Sequence, residues 1–348
     1  MSALTNKPDT PSIPVISFAD YSALALPQRR HTATQLVNAC TKYGFAYITD
    51  HGVPATTIQR AFDLSAQFFA SPVASKMKAP HPPGWAVHRG YSWPGLEKVS
   101  NATSSNGDGG ATEGNGDGNE EIAAQIAALR EITDVKESFD IGSDGNAEQP
   151  NQWPPEELYP GFRGFMTQFY EEMNRAAMQV LRALALGLLS DDDAGEEGEL
   201  DEDAFAKLHS GAYNQLRLLH YPPIPIDEVS EYGKTKTRMP SHTDWSTITL
   251  LFQDSVGGLE VEVPEGGGKY MAVPPLPSDP YAMVMNVGDL MVRWSNDRLK
   301  STEHRVGLPP VIKAVDGSNG SNGAEGMTKA RYSIPYFLTT DPDLKKAA

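Results

Sequence analysis

Apolar and polar positions alternate between strand and helix periods in the first half of the chain, then settle into short extended stretches in the second. Ile13-Pro-Val-Ile-Ser-Phe18 reads as a strand, positions 27–42 as a helix, and Gly44-Phe-Ala-Tyr-Ile-Thr49, alternating and β-branched, as a second strand. Ile58, Phe62, Leu64 and Phe68 give an apolar face to a second helix, predicted over 55–70. Extended character resumes at Val135–Ile141, and the pattern predicts a long amphipathic helix over 164–189. From Gln215 onward, short apolar stretches are separated by Pro and Gly, as in antiparallel β architectures. The predicted strands are Leu216–Tyr221, Thr247–Gln253, Leu259–Val263, Met271–Val273, Ala282–Val287, Leu290–Trp294, Ser301–Val306 and Arg331–Leu338. These are enough strands for a jelly roll. Asn286-Val-Gly-Asp289 and Ser295-Asn-Asp-Arg298 carry turn residues where hairpin corners would fall.

The expected fold is therefore α+β and mainly β: a double-stranded β-helix, or jelly roll, flanked by helices and preceded by a mixed α/β region. Residues 1–100 form the mixed region, 126–210 a helical region and 211–340 the jelly roll. Residues 101–125, rich in Asn, Gly, Ser, Thr and Asp, cannot bury enough surface to offset the entropy of ordering and read as a disordered acidic insertion. The acidic run 191–203 and Gly317–Gly326 read as two further surface insertions.

Composition narrows the function classes. The 348 residues carry a formal charge of −16, but nine acids without a base lie between Asp191 and Asp203 and five more between Asn101 and Glu121. The remainder is close to neutral, and no basic stripe suited to nucleic acid is visible. Cys40 is the only cysteine, so no intrachain disulfide exists and a reducing, cytosolic setting is expected. No apolar stretch is long enough to span a membrane; the best, Met178–Leu189, is interrupted by Arg182.

Against that background Ser241-His-Thr-Asp-Trp245, His304 and Arg331-Tyr-Ser333 stand out. Side chains two apart on a strand point the same way, so His242 joins Asp244 and Arg331 joins Ser333. Two imidazoles and a carboxylate describe an open ferrous site, and a guanidinium beside a hydroxyl suits an anionic cosubstrate. His-x-Asp alone is weak evidence. Its context, a hydrophobic strand over Ile248–Phe252 and a further histidine sixty residues beyond Asp244, makes it strong.

The chain resembles the iron(II) and 2-oxoglutarate dependent oxygenases, in the branch that includes isopenicillin N synthase and plant and fungal biosynthetic dioxygenases. The resemblance rests on Ile13–Ile16, Gly44–Val53 and Arg89-Gly-Tyr91, then Tyr221-Pro222, His242-Thr-Asp244, Asn286-Val-Gly-Asp289, Ser301–Val306 and Arg331-Tyr-Ser333, in family order over nearly the whole chain. It implies that His242, Asp244 and His304 ligate Fe(II). Arg331 and Ser333, with Tyr221 as a third contact, would hold the distal carboxylate of 2-oxoglutarate, and dioxygen would be the oxidant of a small organic substrate. Arg89, Tyr91, Arg217 and Phe252 are the expected substrate wall; the plain alternative makes Tyr91 and Phe252 core and pairs the arginines with acids. Trp245 is expected to point away from the metal and pack, and His220 to be structural.

Three other functions compete at this point. An oxidase of the isopenicillin N synthase type would use iron and dioxygen without 2-oxoglutarate. A non-catalytic binding module would have no need of three ligands. A zinc hydrolase would need four-coordinate geometry and a general base, for which no His-Glu-x-x-His motif is present.

Overall fold

A computed structural model of the protein describes residues 12–19, 21–84, 87–96, 133–188, 201–225, 236–308 and 327–342. The predicted insertions 101–125 and 317–326, and residues 191–200 of the acidic run, lie outside the described residues. In chain order the elements are β1 (Val15–Ser17), α1 (Leu26–Tyr43), β2 (Phe45–Thr49), α2 (Ala55–Ala70), α3 (Val73–Lys76), β3 (Gly90–Ser92), β4 (Thr133–Asp134), β5 (Glu137–Ile141) and α4 (Phe162–Leu188). There follow β6 (Gln215–Tyr221), β7 (Lys236–Thr237), β8 (Met239–His242), β9 (Ile248–Gln253), β10 (Leu259–Glu262), β11 (Tyr270–Ala272), β12 (Met283–Val287), α5 (Asp289–Trp294), β13 (His304–Val306) and β14 (Arg331–Phe337).

Local chemistry sets several of these boundaries. Pro27 opens α1, and Gly44 closes it in the left-handed conformation (φ +68°), donating its N–H to Cys40 O at 3.0 Å. In α4 the buried positions Phe162, Met166, Phe169, Met173, Ala177, Val180 and Leu184 recur three or four apart, so one face is apolar along its length.

The strands form an eight-stranded sheet in the order β1-β2-β12-β9-β14-β6-β5-β3 and a four-stranded sheet in the order β11-β10-β13-β8. Apart from parallel β1–β2, every pairing in these two sheets is antiparallel. Strand alternation divides the large sheet into two faces. On the outer face Ile48, Phe139, Leu216, Leu218, Leu250, Phe252, Met285 and Ile334 pack with helix residues such as Leu36, Phe68 and Phe169. On the inner face Phe45, Tyr47 and Val284 meet Leu259, Val261, Met271 and Val273 of the small sheet and its margin. Each fully buried Phe or Leu contributes about 1.5–3 kcal/mol, so these two cores hold the sheets and helices together.

Two predictions need correction. Leu290–Trp294 is not a strand but lies in helix α5, entered from Gly288 with Asp289 in the first turn. A short apolar run has no decisive period, and here Asn286 and Val287 end β12 while Gly288 and Asp289 begin a helix instead of a hairpin. His242 and Asp244 do not share a strand: His242 ends β8, which the hydrophobic pattern does not reveal because Met239-Pro-Ser-His contains a proline and no apolar alternation, and Asp244 lies in the loop that follows. β8 is an edge of the small sheet, where a proline is tolerated.

Candidate metal and cosubstrate site

His242 ends β8 and His304 opens β13, and the two are direct partners across the small sheet, with ring centroids 4.3 Å apart. Each Nδ1 faces a backbone carbonyl, Pro240 O at 2.9 Å and Thr302 O at 3.2 Å. A carbonyl only accepts, so both rings carry their proton on Nδ1 and present an Nε2 lone pair. Those nitrogens lie 3.7 and 3.8 Å from Asp244 Oδ1. Three donor atoms from His242, Asp244 and His304 fall within 4.8 Å of one another.

The other carboxylate oxygen is held from behind. Asp244 Oδ2 accepts hydrogen bonds from Thr249 Oγ1 (2.6 Å) and Asn286 Nδ2 (2.8 Å), which are partners across β9 and β12. The backbone of the Asp244 loop is fixed as well, since Asp289 N–H donates to Asp244 O at 2.8 Å. Gly288 packs so closely on Ser246 O that a side chain there would collide with it. Gly288→Ala is expected to lower the melting temperature by several degrees, and a differential scanning measurement checks it.

Thr249 and Asn286 escape a motif reading that stops at the ligands. Their signal is a polar residue inside an otherwise apolar strand, Ile-Thr-Leu-Leu-Phe and Met-Val-Met-Asn-Val. Thr249→Val is expected to weaken metal binding by roughly tenfold, the usual cost of removing a partner of a ligand. Titration of the purified variant with Mn(II), read by calorimetry, gives the number.

Burial holds the His242 imidazole down at about 4, with His304 adding to the effect and Asp244 opposing it. Burial also lowers His51 and His209. Burial of Asp244 pushes its carboxyl up, but His304, His242, Thr249 and Asn286 outweigh this and the net direction is down. Each of these histidines binds its proton more readily when unfolded. The metal-free protein should therefore lose stability as pH falls below 6.5, the loss from His242 being complete near pH 4. Urea unfolding at pH 7.5, 5.5 and 4.5 reads this.

A second group lies on the inner face of the large sheet. Arg331 opens β14 directly opposite Tyr221 at the end of β6, and its guanidinium lies 5.0 Å from the Tyr221 ring centroid. Arg331 Nε donates to Gly257 O (2.8 Å) and Nη1 to Ser333 Oγ (2.9 Å). Ser333 pairs with Gln253, which shares a face of β9 with Thr249. The structure thus brings Arg331, Ser333 and Tyr221 together, all buried, on the face that carries the supports of Asp244.

The expected substrate wall divides. Phe252 alternates with Thr249 and Gln253 and points to the outer face, 5.3 Å from the His51 ring and within the core under the helices. Tyr91 pairs with Phe139, shares that outer core, and donates its hydroxyl to Glu137 Oε2 at 2.6 Å. Both are core, so their assignment to the substrate wall is corrected. Arg217 stays on the inner face, two residues along from Leu219, with Nε bonded to buried Asp140 at 2.6 Å. Arg89 is buried, and its guanidinium donates to His88 O (2.7 Å) and to Gln149 Oε1 (3.1 Å). Trp245 is not packed: it is 62% exposed. His220 takes a structural role, bonded to Glu137 Oε1 at 2.7 Å and stacked on Tyr332.

Residues 13–156 match the family described as non-haem dioxygenase in morphine synthesis N-terminal, and residues 212–340 match the 2OG-Fe(II) oxygenase superfamily. A proline hydroxylase from Petromyces alliaceus is 36% identical over 323 residues, covering 92% of this chain and 85% of that protein. The chain belongs to the 2OG-Fe(II) oxygenase superfamily. A 2-oxoglutarate-dependent dioxygenase from Aspergillus flavus is 34% identical over 337 residues, covering 96% of this chain and 86% of its own length. A full-length Neurospora crassa protein crystallised in complex with alpha-KG superposes with a TM-score of 0.72 at 31% identity, over 96% of this chain and 87% of that one. The protein is thus an Fe(II)/2-oxoglutarate-dependent dioxygenase with the double-stranded β-helix of that superfamily. Two neutral imidazoles and one carboxylate oxygen are a donor set that suits Fe(II) and leaves positions open. Among the described residues no helix is long and apolar enough to cross a membrane.

Proposed function

We propose that His242, Asp244 and His304 hold Fe(II), that Arg331, Ser333 and Tyr221 hold the distal carboxylate of 2-oxoglutarate, and that the enzyme oxidises a small organic molecule in specialised metabolism. The observation that carries this reading is the convergence of two Nε2 atoms and Asp244 Oδ1 within 4.8 Å, with the other atoms of each side chain already engaged in hydrogen bonds. Bound Fe(II) with 2-oxoglutarate supplies the oxidising power, coupling dioxygen reduction to decarboxylation of the oxo acid. The chain's own residues position and enclose. Pro240 O and Thr302 O orient the imidazoles, and Thr249 and Asn286 keep Oδ1 turned inward. The Arg331 guanidinium, buried and already fixed by Gly257 O, meets a carboxylate without first having to order its side chain.

The relatives support a small polar substrate. One is a proline hydroxylase, and the Neurospora crassa protein was also solved with alpha-KG and thymine. Purified protein given Fe(II), 2-oxoglutarate and a panel of candidate metabolites should form succinate and one molecule of carbon dioxide per product. Product formation without carbon dioxide release would instead assign the enzyme to the oxidases that dispense with the oxo acid.

A further inference from the structure

Arg238 is among the largest fully buried side chains of the protein, at 1% exposure, although it lies in a bend between two short strands. Burying a guanidinium is costly unless its surroundings are organised to receive it. Its surroundings here are the two strand ends that carry the cosubstrate clamp. Arg238 Nη2 donates to Pro222 O (3.4 Å), the residue after Tyr221, and to Lys329 O (3.0 Å), two residues before Arg331. Its guanidinium carbon lies 5.7 Å from the Tyr221 ring centroid, over the same ring that Arg331 approaches to 5.0 Å.

The two clamp segments are already joined just beyond this point. Ile224 N–H donates to Thr328 Oγ1 (2.9 Å), and Thr328 N–H donates to Ile224 O (2.8 Å). Arg238 adds a third segment to that junction, and the segment is the one that runs into β8 and His242. Met239, the next residue, packs against Leu219, Tyr221 and Val306 and pairs with Val306 of β13, the strand that carries His304. One short stretch, Arg238–His242, therefore touches both halves of the site.

We infer that Arg238 is a positioning residue for 2-oxoglutarate: it holds Tyr221 and Arg331 in one geometry and ties that clamp to the strand bearing His242. The inference rests on the reading of Arg331, Ser333 and Tyr221 as the site of the distal carboxylate. A planar guanidinium suits the task because one group spans two carbonyls while stacking on a ring, which an ammonium cannot do.

A binding experiment on the Mn(II)-loaded protein separates this from a merely structural role. Affinity is measured by calorimetry for 2-oxoglutarate and for 2-oxopentanoate, which keeps the metal-chelating end but lacks the distal carboxylate. In R238M the affinity for 2-oxoglutarate should fall roughly tenfold, the worth of a loosened charge-assisted contact, while that for 2-oxopentanoate stays within about twofold. R238K should fall between wild type and R238M; if R238M does not fold, R238K alone carries the test, with circular dichroism confirming its fold. Equal losses for both oxo acids, or no loss in a folded R238K or R238M, would overturn the inference. R331M is the control for the underlying reading: if it too leaves 2-oxoglutarate binding intact, the clamp assignment itself has failed. Loss in R331M with none in the Arg238 variants counts against Arg238 alone.

Discussion

His304→Ala is expected to eliminate 2-oxoglutarate turnover while leaving the fold intact. The substitution removes one of the two Nε2 donors that converge on Asp244 Oδ1, so two of the three proposed ligands remain. Disturbing even a partner of a metal ligand costs roughly 10–100-fold in affinity or activity, so loss of the ligand itself should exceed about a hundredfold. The fold should survive because His304 belongs to neither of the two large apolar cores, and its ring meets the edge of Phe45 at 5.4 Å. Metal content after dialysis and succinate production by the same preparation check this together. A variant that retains stoichiometric iron and turns over normally would remove His304 from the site. A non-catalytic binding protein would show little change in ligand affinity.

Arg331→Met should raise the dissociation constant of 2-oxoglutarate by about a hundredfold, corresponding to about 3 kcal/mol for a lost charge-assisted pair. The side chain is buried at 1% exposure and spends Nε on Gly257 O and Nη1 on Ser333 Oγ, which aims the guanidinium without consuming it. Methionine keeps much of the volume, so packing against Tyr221 is largely retained and charge is the main variable. The substrate's own affinity should change little. Calorimetric titration of the Mn(II)-loaded protein with 2-oxoglutarate measures the effect directly, and an unchanged affinity would place the oxo acid elsewhere.

The proposed triad and clamp are legible in the sequence because their chemistry is compressed into two short segments with a spacing of two, His242-Thr-Asp244 running from the end of β8 into a loop and Arg331-Tyr-Ser333 within β14. Only the arrival of His304 needs the fold, and the β8–β13 pairing supplies it. The substrate wall is harder to read. Phe252 sits in the right strand but on the wrong face, since facing depends on its parity with Thr249, whose inward direction is known only once it bonds Asp244. Tyr91 fails for the same reason through its pairing with Phe139. α5 is misread because five residues of mixed apolar character fit either period, and the choice falls to Gly288 packing on Ser246 O. Arg238 leaves no trace in a pattern reading: an arginine in the basic, polar stretch Lys234-Thr-Lys-Thr-Arg238 looks like surface, and only the carbonyls of Pro222 and Lys329 show why it is buried.

The most direct test is a crystal structure of the protein with Mn(II) and 2-oxoglutarate under anaerobic conditions, with anomalous scattering used to locate the metal. The expected result is one manganese peak bound by His242 Nε2, His304 Nε2 and Asp244 Oδ1, with the distal carboxylate of the oxo acid on Arg331 and Ser333. A metal peak away from those three atoms, or an oxo acid whose distal carboxylate is held by other residues, would contradict it.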